Sequence, residues 1–324
     1  MIRKILITGG LGLIGKELVK NLNNFDYELT VTDLKKQLIR YKNFIKLYKS
    51  SKIKFLECDV TNLKKVVHFS KKQDCIIHLA AMLGVKNTET NIKKCWEINT
   101  HGTENIIEAY NINKVKKLIF SSSSEVYGES LTDFISEKND LLGRNIYACS
   151  KIAAENLILN NVIKNKKFNY TILRLFNTYG QGQVAKFFLP NVCKSIKENK
   201  DIIINGNGDQ LRGYAYASDI AEAINLSIKN KISENKIYNV GNSKEKYSLR
   251  GVLSVLQKII KIDFNKIKYK KKFYKSDRTQ NREIYKRVCN INKIRNELNY
   301  NPKISLKAGL EKVLSKKNII YNNW

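Results

Sequence analysis

Two hydrophobic periods alternate along this chain. Short apolar runs, among them Lys4-Ile5-Leu6-Ile7-Thr8, Cys75-Ile76-Ile77-His78-Leu79 and Lys117-Leu118-Ile119-Phe120, have the continuous character of strands buried on both faces of a parallel sheet. Glu28 to Asp33 reads as a further strand, and Lys54 to Val60 as one ending at Asp59. Between them, Lys16 to Leu22 and Ile152 to Ile163 carry apolar residues at helical spacing. This alternation, with only two prolines in 324 residues, predicts an α/β fold built on a doubly wound parallel sheet.

The first strand runs into Thr8-Gly9-Gly10-Leu11-Gly12-Leu13-Ile14-Gly15, and a helix follows. Gly10, Gly12 and Gly15 fit G-x-G-x-x-G, and Gly9, Gly12 and Gly15 fit the wider G-x-x-G-x-x-G spacing. In either register the missing side chains let a pyrophosphate reach backbone N–H groups at a helix N-terminus. The next strand ends in Asp33, whose carboxylate would accept bonds from adenosine ribose hydroxyls and repel a 2′-phosphate, which favours NAD over NADP. Lys35 and Lys36 are the residues able to reverse that preference. Asp59 would reach the adenine, and the small residues Ala80 and Ala81 would let the cofactor pass close to the chain.

Ser123 lies at the end of a buried strand, in the crevice where such sheets bind ligands. Tyr147 and Lys151 stand four residues apart in Tyr147-Ala148-Cys149-Ser150-Lys151, on one face of a helix. A neighbouring ammonium, with the positive ring of an oxidised nicotinamide, would draw the phenol down from its ordinary value near 10. Tyr147 would then take a proton from a substrate hydroxyl while Ser123 bonds the same oxygen. Taken alone, Tyr-x-x-x-Lys is ordinary helix surface; the glycine loop and the serine-rich strand end before it give it meaning. His78 reads as a packed core residue, because three histidines without ligand spacing offer no metal site.

Together these residues resemble the extended short-chain dehydrogenase/reductase family, in its NAD-dependent nucleotide-sugar epimerase/dehydratase branch. Further motifs carry the resemblance: His78-Leu79-Ala80-Ala81, Asn99 with Gly102-Thr103, Ser121 to Gly128, Arg174 to Gly180, Arg212 with Tyr216 and Asp219, and Asn301 to Leu310. It covers nearly the whole chain and implies a Rossmann-type doubly wound parallel sheet with a smaller C-terminal α/β substrate lobe. Residues 1–178 plus 214–241 would form the NAD-binding domain, and 179–213 plus 242–324 the nucleotide-sugar-binding lobe. By the same resemblance Gly9, Gly12, Leu13, Ile14, Gly15, Asp33, Asp59, Val60, Leu79, Ala80, Ala81, Asn99, Ser121, Tyr147 and Lys151 would meet the cofactor, Asn99 also bracing the active-site helix. Ser123, Ser124, Asn177, Arg212, Arg282 and Arg287 would meet the substrate, the arginines at its diphosphate. Gln181 and Gly213 stand where the family often has proline and aspartate, which places the sequence's departures on the substrate side.

The resemblance implies oxidation at C4 of a nucleotide-diphosphate sugar, with Tyr147, Lys151, Ser123 and Glu125 as the catalytic set. Dehydratases of the family carry an Asp-Glu pair after the serine; here Ser124-Glu125 leaves one carboxylate for proton work and no acid partner. That pairing resembles uronate decarboxylases and also occurs in epimerases. The leading reading is a 4-epimerase, with a decarboxylase or a 4-dehydrogenase releasing the ketone as alternatives. A non-catalytic sugar-nucleotide binding protein would have no evident need of Ser123, Tyr147 and Lys151 together.

The formal charge of +30 ordinarily raises nucleic acid as a partner. Here the lysines are scattered among Asn and Ile, with one dense knot at Lys270-Lys271-Lys272, so no nucleic acid is expected and the surface would instead attract an anionic sugar nucleotide. Six cysteines without Cys-x-x-Cys spacing read as reduced core thiols, and no apolar span is long enough to cross a membrane, which together imply a cytoplasmic protein. A homodimer through the helix bearing Tyr147 and Lys151 is what the resemblance implies.

Overall fold

The buried runs form seven parallel strands in a computed structural model that describes residues 2–130, 132–183, 187–260, 267–270 and 284–315. We label six of them β1 (Lys4–Thr8), β2 (Glu28–Asp33), β3 (Ile53–Glu57), β4 (Cys75–His78), β5 (Lys117–Ser123) and β6 (Tyr170–Leu175); the seventh is Lys236–Val240. Their order across the sheet is 236–240, β6, β5, β4, β1, β2, β3. The direction of winding therefore reverses between β4 and β1, which opens a crevice at the carboxyl ends of those strands. Every residue of β5 is buried, as a central strand covered on both faces requires.

Helix α1 (Leu13–Leu22) leaves the glycine loop and packs through Leu18, Val19 and Leu22 against the helix Ala217–Lys229. On the other face the long helix Ile146–Lys164 covers β5. Asn145 starts it: its side-chain oxygen accepts from the Ala148 N–H at 2.8 Å, supplying one of the acceptors that a first helical turn lacks.

The C-terminal part adds small sheets. Leu211–Gly213 runs between Lys246–Ser248 and Lys286–Arg287, Thr178–Tyr179 pairs with Ala215–Tyr216, and Ile202–Asn205 pairs with Ile267–Lys270. A separate apolar cluster, including Leu189, Val192, Leu253, Leu256, Leu306 and Leu310, supports them. Asp219 ties this part to the large sheet's helices by accepting from the backbone N–H groups of Lys303 and Ile304, both at 3.1 Å. Among the described residues no helix is long and apolar enough to cross a membrane.

Boundaries differ from the sequence expectation where polar residues continue an element. β5 runs on through Ser121, Ser122 and Ser123, because the neighbouring β6 offers partners as far as Leu175. β3 stops at Glu57, so Asp59 lies beyond the strand in a turn closed by its own contact to Thr61.

Candidate active site

One cleft collects the carboxyl ends of the central strands and the glycine loop. Gly9 has φ +67°, and a Cβ built there would lie 2.6 Å from the Ala80 nitrogen; at Gly15 it would lie 2.5 Å from the Gly10 backbone. Glycine is thus required twice, once for conformation and once for contact with β1's own turn. Gly12 precedes α1 without any side-chain cap, which leaves the helix's first N–H groups facing the cleft. Leu13, Ile14, Leu79, Ala81 and Ser121 line the same space. The loop fits a dinucleotide pyrophosphate by its bare glycines and uncapped helix.

Asp33 accepts from the N–H of Leu11 at 2.9 Å and of Leu34 at 2.8 Å. Burial raises its pKa, while those amides and the Lys16 charge oppose the rise. Lys16 itself was not foreseen from sequence: its ammonium donates to the carbonyls of Leu11 (3.0 Å) and Gly12 (3.1 Å) and sits 4.0 Å from the Tyr41 ring centre. Burial lowers its pKa to about 8. Gln37, Arg40 and Tyr41 also line this end of the cleft. They carry no motif, and their place depends on where the segment after β2 folds back. Lys35 and Lys36, by contrast, are exposed.

Asp59 and Val60 do not line the cleft. Asp59 is exposed, its carboxylate accepting from Thr61, and Val60 is buried against Gly102. Asn99 is also behind the wall, in a π-helical turn Glu97–His101. Its amide donates to Ser150 Oγ at 3.0 Å, and its oxygen accepts from the Met82 N–H at 2.7 Å. Ser150 lies between Tyr147 and Lys151, so this bond acts on the helix that carries them. His78 is buried, bonded by Thr8 at 2.7 Å on Nδ1 and Thr103 at 3.3 Å on Nε2. Burial drives its pKa to about 3, so it stays neutral.

Ser123, Tyr147 and Lys151 converge as the spacing predicts, with one correction to the electrostatics. Tyr147 bonds Ser123, but burial, reinforced by the Glu125 charge, pushes the phenol well above its ordinary value. The groups acting on it electrostatically are Glu125, then Cys95 and Arg287, not Lys151. The reason is geometric: the Lys151 ammonium donates to the Ser121 carbonyl at 2.9 Å and lies 4.6 Å from the Phe120 ring centre. Burial lowers Lys151 to about 8. The phenol is thus held protonated by the protein itself.

The substrate side departs further from the sequence reading. Glu125, expected to be available for proton work, is paired: Arg287 Nη1 donates to one of its oxygens, and Asn145 donates to the other at 2.9 Å. Arg287 Nη2 donates to Asn177 Oδ1 at 2.7 Å, and its buried Nε–H has no acceptor among the described residues. Ser124, Glu125, Asn177 and Arg287 all line the cleft. Arg212 does not. Its guanidinium donates to the carbonyls of Leu211, Ile284 and Tyr285, fastening the strand that bears Arg287 to its neighbour. Arg282 lies outside the described residues. Asn145 was missed as a site residue because its bond to Glu125 spans 20 positions of the chain.

A family model described as the NAD dependent epimerase/dehydratase family matches residues 5–241. The chain belongs to that family. Over 97% of its length it is 29% identical to a UDP-N-acetyl-alpha-D-glucosaminuronate decarboxylase of Bacillus cytotoxicus, 97% of which is covered. A human dTDP-D-glucose 4,6-dehydratase is 27% identical over 99% of this chain and 92% of its own. Among solved structures, the UDP-glucuronic acid 4-epimerase of Bacillus cereus, in complex with UDP-glucuronic acid and NAD, superposes with a TM-score of 0.86. That match has 27% identity and covers 96% of this chain and 98% of the other. The protein is therefore an NAD-dependent enzyme of nucleotide-sugar chemistry, with the doubly wound fold that its sequence pattern predicted.

Proposed function

We propose that the protein oxidises C4 of a UDP-linked hexuronate and that the carboxylate then leaves as carbon dioxide. The observation that carries this reading is Arg287, a cation on the cleft wall beside Tyr147, held by Glu125 and Asn177. A sugar carboxylate is the group such a donor complements. Two relatives named above act on sugar acids, which supports the same substrate class.

In this reading residues 1–178 with 214–241 hold NAD, and the small sheets hold the sugar nucleotide. NAD supplies the hydride acceptor. Tyr147 takes the C4 hydroxyl proton and Ser123 bonds that oxygen. Oxidation makes the sugar a β-keto acid. When the C5–C6 bond breaks, its electron pair moves onto the C4 oxygen, where Ser123 and protonated Tyr147 stabilise the charge; a proton is then added at C5, and the hydride returns to C4 as Tyr147 gives its proton back to the C4 oxygen, so the net loss is carbon dioxide alone. Glu125 accepts from Arg287 on one oxygen and from Asn145 on the other, so its carboxylate is committed to holding Arg287 and is badly placed to expel a hydroxyl as an acid. With serine at position 124, 4,6-dehydration is disfavoured.

The second reading, 4-epimerisation, is supported by the superposition on the UDP-glucuronic acid 4-epimerase. Mass spectrometry of UDP-glucuronate and UDP-N-acetylglucosaminuronate incubated with protein and NAD⁺ tests both. Loss of one carbon dioxide supports the proposal, and an isomer of unchanged mass replaces it with the epimerase. Turnover of neutral sugars alone sinks the uronate assignment.

A further inference from the structure

A second cavity, of about 200 Å³, lies at the amino ends of β1, β2 and β3, the end of the sheet away from the cleft. β1 has five residues, so at about 3.3 Å per residue this cavity stands roughly 16 Å from the glycine loop. Distant stretches of the chain build its walls. Lys4 opens β1, Lys52 and Lys54 flank Ile53 where β3 begins, and Lys71 and Lys72 form the turn after the helix Leu63–Ser70. Thr30 and Gln73, hydrogen-bonded to each other at 3.2 Å, complete the polar lining with Ser51. Among the described residues that line it, Leu29 alone is apolar and Glu28 alone is acidic. Five lysines to one carboxylate is more one-sided than the chain's 59 basic to 29 acidic residues.

The acids nearby do not balance this charge. Glu28 lies 3.4 Å from Lys4, and Asp26 pairs with Lys52 at 2.5 Å. Asp74, next to Gln73, is already committed. One of its oxygens accepts from the backbone N–H groups of Arg3 and Lys4, both at 2.9 Å, and the other pairs with Lys116 at 2.6 Å. Lys54, Lys71 and Lys72 are left without an ion pair among the described residues. Lysines on a convex surface are solvated singly; these converge on one concave space, whose low-dielectric walls focus their field. The group that complements such a space is a compact anion of more than one charge, and ammonium groups serve phosphate as point charges. A volume below about 300 Å³, the lower end for sites that enclose a drug-sized ligand, suits phosphate groups instead of a whole nucleotide.

We propose that this cavity is a second anion site, separate from the cleft, which takes a small multivalent phosphate of the diphosphate kind. The probe is inorganic pyrophosphate, titrated calorimetrically at about 0.15 M salt, where diffuse attraction between exposed charges is largely screened. NAD⁺ and UDP are present at saturation to occupy the cleft. The wild type is expected to take up pyrophosphate under these conditions. The triple variant Lys54→Gln/Lys71→Gln/Lys72→Gln, which leaves the paired Lys4 and Lys52 in place, should bind it about tenfold more weakly or worse. Lys164→Gln/Lys166→Gln/Lys167→Gln removes the same charge from exposed positions just before β6 and should change the affinity by less than about twofold. NADH affinity, read by fluorescence, stays at the wild-type value in both. Glu28→Gln removes the carboxylate of the lining and should tighten pyrophosphate binding. Absence of pyrophosphate uptake by the wild type overturns the proposal. So does an equal loss in the two triple variants, which would reduce the binding to the net charge of +30. If the first triple variant does not fold, an unchanged affinity in Glu28→Gln overturns it instead.

Discussion

The proposed reaction requires Tyr147 to release its proton, yet the surrounding protein opposes this by burial and by the Glu125 charge. Replacing it with phenylalanine removes the acceptor without disturbing the fold: turnover is expected to fall by about 10²–10⁴-fold with NADH affinity retained, read by steady-state kinetics and fluorescence titration. Arg287 makes the complementary prediction. Arg287→Met leaves Glu125 buried with Asn145 as its remaining named donor, and the melting curve should register a loss of about 3–5 kcal/mol. Glu125→Gln with Arg287→Met restores much of that stability but not uronate binding; recovery of the wild-type KM in the double variant counts against Arg287 as the carboxylate's partner. Sequence showed both residues as candidates, and could not show that they are partners, since 162 positions separate them.

At the scale of elements, the glycine loop and the head of the long helix are where local sequence dictates geometry most directly. A methyl at Gly15 would press on the backbone of Gly10, and no side-chain rotation relieves that contact. Gly15→Ala is expected to weaken NADH binding at least tenfold while the circular dichroism spectrum is unchanged. Asn145→Ala removes both a helix cap and a hydrogen bond to Glu125, so its melting temperature should drop by more than the cap alone, which contributes about 1 kcal/mol, would produce. The strand–turn–helix pattern was legible because glycine spacing and apolar periodicity act over a few residues. The segment bearing Gln37, Arg40 and Tyr41 was not, because nothing in its own residues says that it folds back over the cofactor end.

For the whole molecule, the buried titratable groups predict a stability maximum in mildly alkaline solution. Lys16 and Lys151 have folded pKa values of about 8 against 10.5 in the unfolded chain, so unfolding takes up protons between those values and stability rises with pH there. The buried thiols act oppositely. Cys58 is raised to about 11, and Cys75, Cys193 and Cys289 to about 12, from 9.0, so above pH 9 the unfolded state loses protons that the folded state keeps. The melting temperature is expected to climb from pH 8 to about 9 and fall beyond it; a monotonic fall from pH 7 would contradict the assigned burial of both lysines. Cys149 stands apart as the exposed thiol, on the helix that bears Tyr147 and Lys151, where the lack of Cys-x-x-Cys spacing had suggested core thiols throughout. By itself the sequence determined the sheet, the cofactor loop and the Ser123, Tyr147 and Lys151 constellation, because each is written in short-range spacing that has one favourable backbone solution. The tertiary structure alone decided that Glu125 pairs with Arg287, that Arg212 serves the backbone instead of the cleft, and that Lys151 turns to Ser121. Those outcomes depend on which distant groups share a low-dielectric space, where burial outweighs the charge of a sequence neighbour.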